Sequence, residues 1–181
     1  MPYDYQPFPY HAPPGLNEQE PRHKAVIVGA GPIGLAMALE LANQDIPSVV
    51  VDDNNVVSVG SRAICWSKRS LEILDRLGVG DRAVEKGVTW KVGHTYFHER
   101  EVYSFDLLPE EGHKMPAFIN LQQYYIEQYL VEAAQENPLV DLRFLNKVTA
   151  IDPKEDHVRL SLETPDGTYA LEAAYLLACD G

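Results

Sequence analysis

The chain has 181 residues, enough for one domain with its own hydrophobic core. Its 27 acidic and 15 basic residues give a formal net charge of −12, and an acidic surface repels phosphate backbones, so nucleic-acid binding is disfavoured. No apolar run approaches the roughly 18 residues that a membrane-spanning helix needs.

Only two cysteines occur, Cys65 and Cys179, and they are far apart. This usage provides neither a disulfide framework nor the spacing of a metal site, and it favours a reducing compartment. The N-terminus also lacks the basic stretch and apolar run of a signal peptide. We therefore expect a soluble, cytoplasmic protein.

Residues 1–23 are rich in proline and aromatic side chains, a composition that cannot propagate a helix and favours an extended arm. Such an arm can be a binding motif for a partner protein. More commonly it lies over its own domain or is disordered, and we favour that interpretation.

The next segment, VIVGAGPIGL at residues 26–35, predicts a buried strand, a glycine turn and the first turn of a helix. Gly29, Gly31 and Gly34 have the G-x-G-x-x-G spacing of a dinucleotide-binding fingerprint. In that motif the first glycine permits a tight turn, the second lets a diphosphate approach the backbone, and the third lets the helix pack close to the strand. Pro32 suits the first helical turn because its missing N–H leaves no hydrogen bond unmade.

The helix that follows has one apolar face, formed by Leu35, Ala38, Leu39 and Ala42. Its first turn contains Pro32 and Ile33. Free N–H groups at this N-terminus combine with the helix dipole to make an anion site. The sequence therefore predicts a place for a diphosphate at the start of the helix.

A second apolar run, residues 49–51, ends in Asp52, which lies 18 residues beyond Gly34. A carboxylate about 20 residues after the glycines, at the end of the second strand, is where such folds hold the adenosine ribose hydroxyls. Asp52 is preferred because it directly follows the apolar run, and Asp53 is the neighbouring candidate. The alternative is a glycine turn without a ligand and a surface aspartate, but strand, turn, helix, strand and acid occur in the order that a nucleotide site requires.

Arg62 follows a polar loop, residues 54–61, and is the first basic residue after the acids. It can pair with a phosphate or hold the loop to the domain, and the sequence favours neither. The next helix is expected to begin at Trp66 or Ser67, with Ser67 able to cap it, and to end at Gly78.

Short alternating runs between residues 89 and 106 predict antiparallel strands. A helix is expected over residues 120–136, and its apolar residues spread over more than one face, so part of it can line a cleft. Tyr124, Tyr125 and Tyr129 can stack on a substrate. Core packing is the favoured interpretation, because aromatic rings fill interiors efficiently.

The last part of the chain predicts four strands, over residues 139–144, 147–151, 157–162 and 169–177. Pro165-Asp166-Gly167 is a strong turn signal between the last two. The final apolar run leads to Asp180 and Gly181, where a following loop or helix is expected. We therefore expect this sequence to be the N-terminal portion of a longer protein.

No side chain stands out as a catalytic acid, base or nucleophile, so the sequence assigns no catalytic residue. His94 and His98 are four residues apart, but the alternating pattern around them predicts strands, and no metal site is expected. No nucleophile motif such as G-x-S-x-G occurs. This pattern favours chemistry that is carried by a cofactor.

Five features carry a family resemblance: the segment 26–35, Asp52, Ser61-Arg62-Ala63, the terminal Ala178-Cys179-Asp180-Gly181, and Gln123 with Ile126, Glu127 and Leu130. With these features, residues 24–181 resemble the N-terminal part of the flavin-dependent aromatic hydroxylases. These are single-component FAD monooxygenases of the p-hydroxybenzoate hydroxylase type. The chain is most similar to the branch of phenol hydroxylase and 3-(3-hydroxyphenyl)propionate hydroxylase.

This resemblance implies an α/β fold, in which a Rossmann-like FAD-binding domain combines a parallel sheet with an antiparallel β-meander. Strands of an incomplete substrate-binding domain are inserted into it. The implied FAD-binding domain occupies residues 24–181, of which residues 89–119 are part of the substrate-binding sheet, and residues 1–23 form the arm that precedes it.

The resemblance also implies a set of cofactor contacts. Gly29, Gly31 and Gly34, with Pro32 and Ile33 between them, would hold the FAD diphosphate. Asp52, or its neighbour Asp53, would bind the adenosine ribose, and Arg62 would contact the cofactor near its phosphates. Gln123 would contact the ribityl side of the flavin, and Asp180 would take part in binding FAD and reduced nicotinamide. The family usually has glutamate at the ribose position, and Asp52 is one methylene shorter.

The implied reaction is reduction of FAD by NAD(P)H, followed by transfer of one oxygen atom from O₂ to a phenolic ring. The expected partner is a small aromatic substrate, and neither nucleic acid nor a membrane is expected. A homodimer is an open alternative to a monomer. Two alternatives are another FAD-dependent oxidoreductase of the same fold and a dinucleotide-binding module without chemistry. The second FAD motif of the family does not occur in these 181 residues, which alone are expected to be inactive.

Overall fold

The computed structural model describes residues 3–60 and 62–180, which form two compact units. The first unit contains the described residues up to Gly60 and from Glu127 onwards, and the second unit contains those between them. Within residues 3–60 and 62–180, no helix is long and apolar enough to cross a membrane. In chain order the elements are β1 (His23–Val28), α1 (Pro32–Ala42), β2 (Ser48–Val51), β3 (Cys65–Ser67), α2 (Lys68–Arg76), α3 (Gly80–Lys86), β4 (Val88–Trp90), β5 (Val92–Phe97), β6 (Arg100–Asp106), β7 (Phe118–Asn120), α4 (Gln123–Glu136), β8 (Val140–Arg143), β9 (Lys147–Pro153), β10 (Val158–Thr164) and β11 (Gly167–Ala178).

The first unit is built on a six-stranded sheet with the strand order β8-β2-β1-β11-β10-β9. Strands β8, β2, β1 and β11 run parallel, whereas β9, β10 and β11 form an antiparallel meander. Ile27 of β1 pairs with Val50 of β2 on one side and with Leu177 of β11 on the other. This topology confirms the predicted α/β fold with a parallel sheet and an antiparallel meander.

The burial of the strands follows from their residue patterns. Strand β2 is buried at all four positions, as expected for a parallel strand that is covered on both faces. Strand β10 alternates buried and exposed residues, as expected for an antiparallel strand with one solvated face. The predicted turn at Pro165-Asp166-Gly167 closes the hairpin between β10 and β11, where Thr164 pairs with Gly167.

Helix α1 packs through the predicted apolar face, whose residues Leu35, Ala38, Leu39 and Ala42 are all buried. Four strands supply a further cluster of buried side chains. This cluster contains Val26, Val49, Val51, Val158, Leu160, Leu162, Tyr169, Leu171 and Ala173. The core therefore holds the sheet and fixes the carboxyl ends of β1 and β2 beside the start of α1.

Helix α1 approaches β1 too closely for any side chain at Gly34. A Cβ atom at this position would lie 1.8 Å from the carbonyl oxygen of Gly29 and 3.3 Å from Cγ2 of Ile27. Gly29 has a φ of 103°, in the left-handed region that favours glycine. Two of the three fingerprint glycines are therefore required by the backbone itself.

The second unit contains the antiparallel sheet β3-β7-β4, the hairpin β5–β6 and the helices α2 and α3. The hairpin confirms the prediction of antiparallel strands between residues 89 and 106. Helix α2 ends shortly before Gly78, whose φ of 83° matches the predicted glycine stop.

Two local predictions in this unit differ from the structure, and one helix was not predicted. Helix α2 begins at Lys68, so Ser67 occupies the predicted N-cap position. Its hydroxyl makes no capping hydrogen bond to the backbone and lies 3.3 Å from the hydroxyl of Ser70. The helix predicted from residue 120 begins at Gln123, because Phe118–Asn120 pairs as β7 with both β3 and β4. Helix α3 was not predicted, since its seven residues are too few to show a helical period.

Residues 3–22, which we call the N-terminal arm, contain a 3₁₀ turn at Pro14–Leu16 and otherwise have no helix or strand. The arm lies on the first unit. The ring of Phe8 stacks on Phe144, and Leu16 packs against the cluster of buried strand residues.

The close approach of α1 to β1 predicts that Gly34→Ala destabilises the fold by about 3 kcal/mol or more, because the added methyl group collides with backbone atoms that cannot rotate away. The free energy of unfolding, measured by urea denaturation, tests this. Gly31→Ala is the matched control, since an added Cβ there meets no atom within 4 Å and its φ of −76° suits alanine. Equal stability of the two variants would contradict the proposed packing constraint.

Candidate functional site

The glycine turn joins β1 to α1 between the ends of two neighbouring strands. The Gly29 N–H donates to the Val51 carbonyl oxygen at 2.8 Å, and the Cys179 N–H donates to the Val28 carbonyl oxygen, also at 2.8 Å. An added Cβ at Gly29 would lie 2.6 Å from the carbonyl oxygen of Cys179. The turn is therefore held at the carboxyl edge of the parallel strands, where open α/β sheets bind their ligands.

The second fingerprint glycine differs from the other two, because it has free space beside it. Gly31 is the N-cap residue of α1, and an added Cβ there would meet no atom within 4 Å. Pro32 follows as the first helical residue, and the amides of Ile33 and Gly34 belong to the first turn, which has no intrahelical acceptors. This combination of open backbone and helix N-terminus suits a diphosphate.

Asp52 directly follows β2, and its carboxylate contacts the glycine turn. Oδ2 accepts a hydrogen bond from the Ala30 N–H at 2.6 Å, and Oδ1 accepts one from the Asn54 N–H at 2.8 Å. Each oxygen retains a further lone pair, so the carboxylate can still accept hydroxyl groups of a sugar. The hydrogen bond from Ala30 therefore connects Asp52, the residue predicted to bind the ribose, to the glycine turn, which is predicted to bind the diphosphate.

The pKa of Asp52 lies above the ordinary value of an aspartate. Burial raises the pKa most, and the negative charges of Asp53 and Glu127 raise it further. The hydrogen bonds from Ala30 and Asn54 lower the pKa without cancelling the effect of burial. A ligand that donates hydroxyl groups to this carboxylate would stabilise its charged form.

A cavity of about 360 Å³ opens at the carboxyl ends of β1 and β2. The carboxylates of Asp52, Asp53 and Asp180 line it, together with a single basic residue, Lys147. This excess of negative charge repels phosphates but suits the hydroxyl donors of a sugar. The electrostatics therefore favour the sugar in the cavity and the diphosphate at Gly31.

Asn146 is a residue of this site that the sequence analysis did not identify. It is buried and lines the same cavity. Its N–H donates to the Asp52 carbonyl oxygen at 2.8 Å, and its Oδ1 accepts a hydrogen bond from the Tyr169 hydroxyl at 2.6 Å. Its side-chain amide also donates to the Phe144 carbonyl oxygen. No sequence motif indicates this residue, because its hydrogen-bond partner Tyr169 and its neighbour Asp52 are distant in sequence.

Glu127 acts on the loop that follows Asp52. It is buried in α4 and accepts hydrogen bonds from both the backbone N–H and the hydroxyl of Ser58. In the sequence, Glu127 is indicated only by the helix resemblance. In the structure its carboxylate fixes Ser58 in the loop that follows Asp52.

The remaining predicted site residues lie elsewhere in the chain. Arg62 is exposed in the second unit, and Ser61 lies outside the described residues. Gln123 belongs to the second unit as well, where its backbone N–H donates to the Ala63 carbonyl oxygen at 3.0 Å and its side chain accepts from the Ala63 N–H at 3.3 Å. Gln123 therefore orders the segment next to Arg62.

The aromatic residues of α4 do not form the core. Tyr124, Tyr125 and Tyr129 are half-buried, which corrects the favoured interpretation of core packing. The Tyr124 and Tyr125 rings lie 4.8 Å apart, and the ammonium group of Lys86 lies 4.8 Å from the centre of the Tyr125 ring. In residues 3–60 and 62–180, no three histidine, cysteine, aspartate or glutamate side chains converge in a metal-binding cluster.

The geometry of Asp52 predicts that Asp52→Asn lowers the affinity for FAD by about 10- to 100-fold, because one carboxylate oxygen becomes an amide NH2 group that cannot accept a hydrogen bond, and the negative charge is lost. Fluorescence titration of FAD into the flavin-free protein measures this. Asp53→Asn is the control, because it removes the same charge one residue away, from a side chain that is exposed. A larger loss for Asp53→Asn would show that the ribose site was assigned to the wrong carboxylate.

Comparison with known proteins agrees with this geometry. Residues 22–181 match the profile of a family described as "FAD binding domain". Para-nitrophenol 4-monooxygenase of Pseudomonas sp. (strain WBC-3) is 28% identical over 160 residues, which cover 86% of this chain and 39% of that protein. Rifampicin monooxygenase of Rhodococcus hoagii is 33% identical over 156 residues, which cover 86% of this chain and 31% of that protein.

Solved structures give the same result. The crystal structure of p-nitrophenol 4-monooxygenase from Pseudomonas putida DLL-E4 superposes with a TM-score of 0.80 at 28% identity, covering 88% of this chain and 41% of that one. The flavin-dependent monooxygenase PieE, in complex with FAD and substrate, superposes with a TM-score of 0.75 at 26% identity, covering 90% of this chain and 31% of that one. The chain thus spans 31–41% of the length of these relatives.

These matches confirm the resemblance to FAD-dependent aromatic hydroxylases on which the sequence analysis relied. They cover the glycine turn, Asp52 and Asp180 within one continuous region. The chain belongs to the FAD binding domain family, and its cofactor is FAD.

Proposed function

We propose that this chain is the FAD-binding portion of a monooxygenase that hydroxylates a phenolic compound with NAD(P)H and O₂. The observation that carries the proposal is the open backbone at Gly31 beside the Asp52 carboxylate, within a region that matches the FAD binding domain family. The names of two relatives support the reaction class, since one is a para-nitrophenol 4-monooxygenase and the other a 3-(3-hydroxy-phenyl)propionate/3-hydroxycinnamic acid hydroxylase.

In this proposal, different residues of the first unit bind the charged diphosphate and the uncharged sugar of the cofactor. The turn from Gly29 to Gly34, including Pro32 and Ile33, binds the diphosphate through backbone N–H groups. Asp52 binds the adenosine ribose, with Asp53 beside it at the mouth of the cavity. Asp180 lines the same cavity and contributes to the binding of FAD and of reduced nicotinamide.

Two further cofactor contacts are proposed for residues of the second unit. Arg62 contacts the cofactor near its phosphates, and Gln123 contacts the ribityl side of the flavin. The hydrogen bonds between Gln123 and Ala63 support this pairing of roles, because they tie the two residues to one local segment. Bound FAD supplies the redox chemistry with oxygen, and the protein binds and orients it.

The proposed partners are a small aromatic substrate and the nicotinamide donor. The acidic charge of −12 argues against nucleic acid. Cys65 and Cys179 are free thiols, which supports a reducing compartment such as the cytoplasm.

The decisive experiment uses the complete protein that contains this chain. The flavin-loaded protein is incubated with NAD(P)H, ¹⁸O₂ and a panel of phenols, and the products are analysed by mass spectrometry. We expect one ¹⁸O atom per hydroxylated phenol, the other oxygen atom leaving as water and one NAD(P)H being oxidised for each product molecule.

Other outcomes separate the alternatives. Oxidation of NAD(P)H with oxygen incorporated only into non-aromatic compounds would replace the aromatic substrate by another class. If the protein binds FAD but NAD(P)H does not reduce it, the result would support a dinucleotide-binding module without chemistry. A protein that takes up no FAD would overturn the proposal altogether.

A further inference from the structure

The N-terminal arm lies almost wholly outside the family match, which begins at residue 22. It nevertheless contacts the two segments that shape the acidic cavity. We call residues 52–55, which follow β2, the β2 segment, and residues 143–146, at the end of β8, the β8 segment. The first contains Asp52 and the second contains Asn146, and both residues line the cavity.

The two segments are hydrogen-bonded to each other through their backbones. The Asp52 N–H donates to the Arg143 carbonyl oxygen at 3.1 Å, and the Asn146 N–H donates to the Asp52 carbonyl oxygen at 2.8 Å. A longer bond of 3.4 Å joins the Leu145 N–H to the Asn54 carbonyl oxygen. The position of Asp52 therefore depends on the β8 segment as well as on its own strand.

Phe8 of the arm bridges these two segments. Its N–H donates to the Asn55 carbonyl oxygen at 2.6 Å, and the Asn55 side-chain amide donates back to the Phe8 carbonyl oxygen at 3.0 Å. Its ring stacks on the buried ring of Phe144, with the ring centres 4.7 Å apart and the planes inclined by 13°. Phe8, Ala30 and Asp52 also line one small cavity of about 20 Å³, so the arm lies next to the contact between the carboxylate and the glycine turn.

Glu20 makes a second attachment, at the buried guanidinium group of Arg143. The two carboxylate oxygens accept hydrogen bonds from two nitrogens of Arg143 at 2.9 and 2.7 Å. Glu20 also accepts from the Gly15 N–H and contacts His23. Burial raises the pKa of Glu20, but the hydrogen bonds and charge of Arg143 outweigh it and bring the pKa below the ordinary value.

A chain of side chains continues from this ion pair to the cavity. Arg143 lies 3.4 Å from the Tyr169 hydroxyl, which donates to Asn146 at 2.6 Å. Asn146 holds the Asp52 carbonyl oxygen, as described above. All of these residues belong to the first unit. Two separate sets of contacts therefore connect the arm to the backbone around Asp52, one through Phe8 and one through Glu20.

We propose that the N-terminal arm positions Asp52 and thereby the adenosine end of the FAD site, with Phe8 and Glu20 as its positioning residues. The inference rests on the proposed FAD site. Loops held only by their own backbones lose conformational freedom when a ligand binds, and the arm removes part of that freedom in advance. Phe8 and Glu20 already contact other residues of the first unit. These contacts argue against the interpretation of the arm as a binding motif for a partner protein.

The test compares two ligands in flavin-free protein carrying Phe8→Ala or Glu20→Gln. FAD and ADP are titrated at a temperature at which circular dichroism shows each variant to be folded. ADP contains only the adenosine and the diphosphate, so it reports on the proposed end of the site. We expect the dissociation constants of both ligands to rise by about tenfold and by the same factor.

Two further variants control for general destabilisation. Phe8→Tyr keeps a ring that can stack on Phe144 and is expected to retain the wild-type affinity. Arg22→Gln removes another ion pair of the arm, with the exposed Asp156, a residue outside both the β2 segment and the β8 segment. It should leave both dissociation constants unchanged, even if it lowers the melting temperature.

Dissociation constants within about twofold of the wild type for Phe8→Ala would overturn the inference, even where Glu20→Gln does not fold. A rise for FAD without a rise for ADP would also overturn it, because the effect would lie at another part of the cofactor. These outcomes leave the proposed function intact. A wild-type protein that binds neither ligand would overturn the proposed function and this inference together.

Discussion

Helix α1 meets strand β1 at a point where only hydrogen fits as a side chain. The carbonyl oxygen of Gly29 occupies the place that a Cβ of Gly34 would need, and the φ of Gly29 lets the chain turn sharply enough to reach that point. The rest of the site depends on this close packing. It holds the start of the helix at the edge of the sheet, leaves Gly31 facing open space, and places the Ala30 N–H within reach of Asp52.

The site resolves an apparent conflict between an acidic chain and an anionic cofactor. The diphosphate is expected where the local potential is set by backbone N–H groups and the helix dipole, and the sugar is expected where Asp52, Asp53 and Asp180 line the cavity. Asp52 joins the two regions, since its carboxylate already binds the turn.

The sequence predicts those parts of the site that depend on local order. The glycine spacing, the apolar face of α1 and the strand that ends at Asp52 are all short-range patterns, and the structure contains each of them. Asn146 and the pairing of Glu20 with Arg143 could not be predicted, because their partners come from distant parts of the chain. The half-buried tyrosines of α4 were misjudged for the same reason, since burial depends on neighbours that periodicity does not reveal.

The central claim is that the glycine turn and Asp52 together hold the two halves of the ADP portion of FAD. A crystal structure of the FAD complex tests it most directly. We expect diphosphate oxygens about 3 Å from the amide nitrogens of the first turn of α1 beside Gly31, and ribose hydroxyls about 3 Å from the Asp52 carboxylate. FAD bound with its diphosphate away from this turn, or an Asp52 carboxylate that contacts no part of the cofactor, would contradict it.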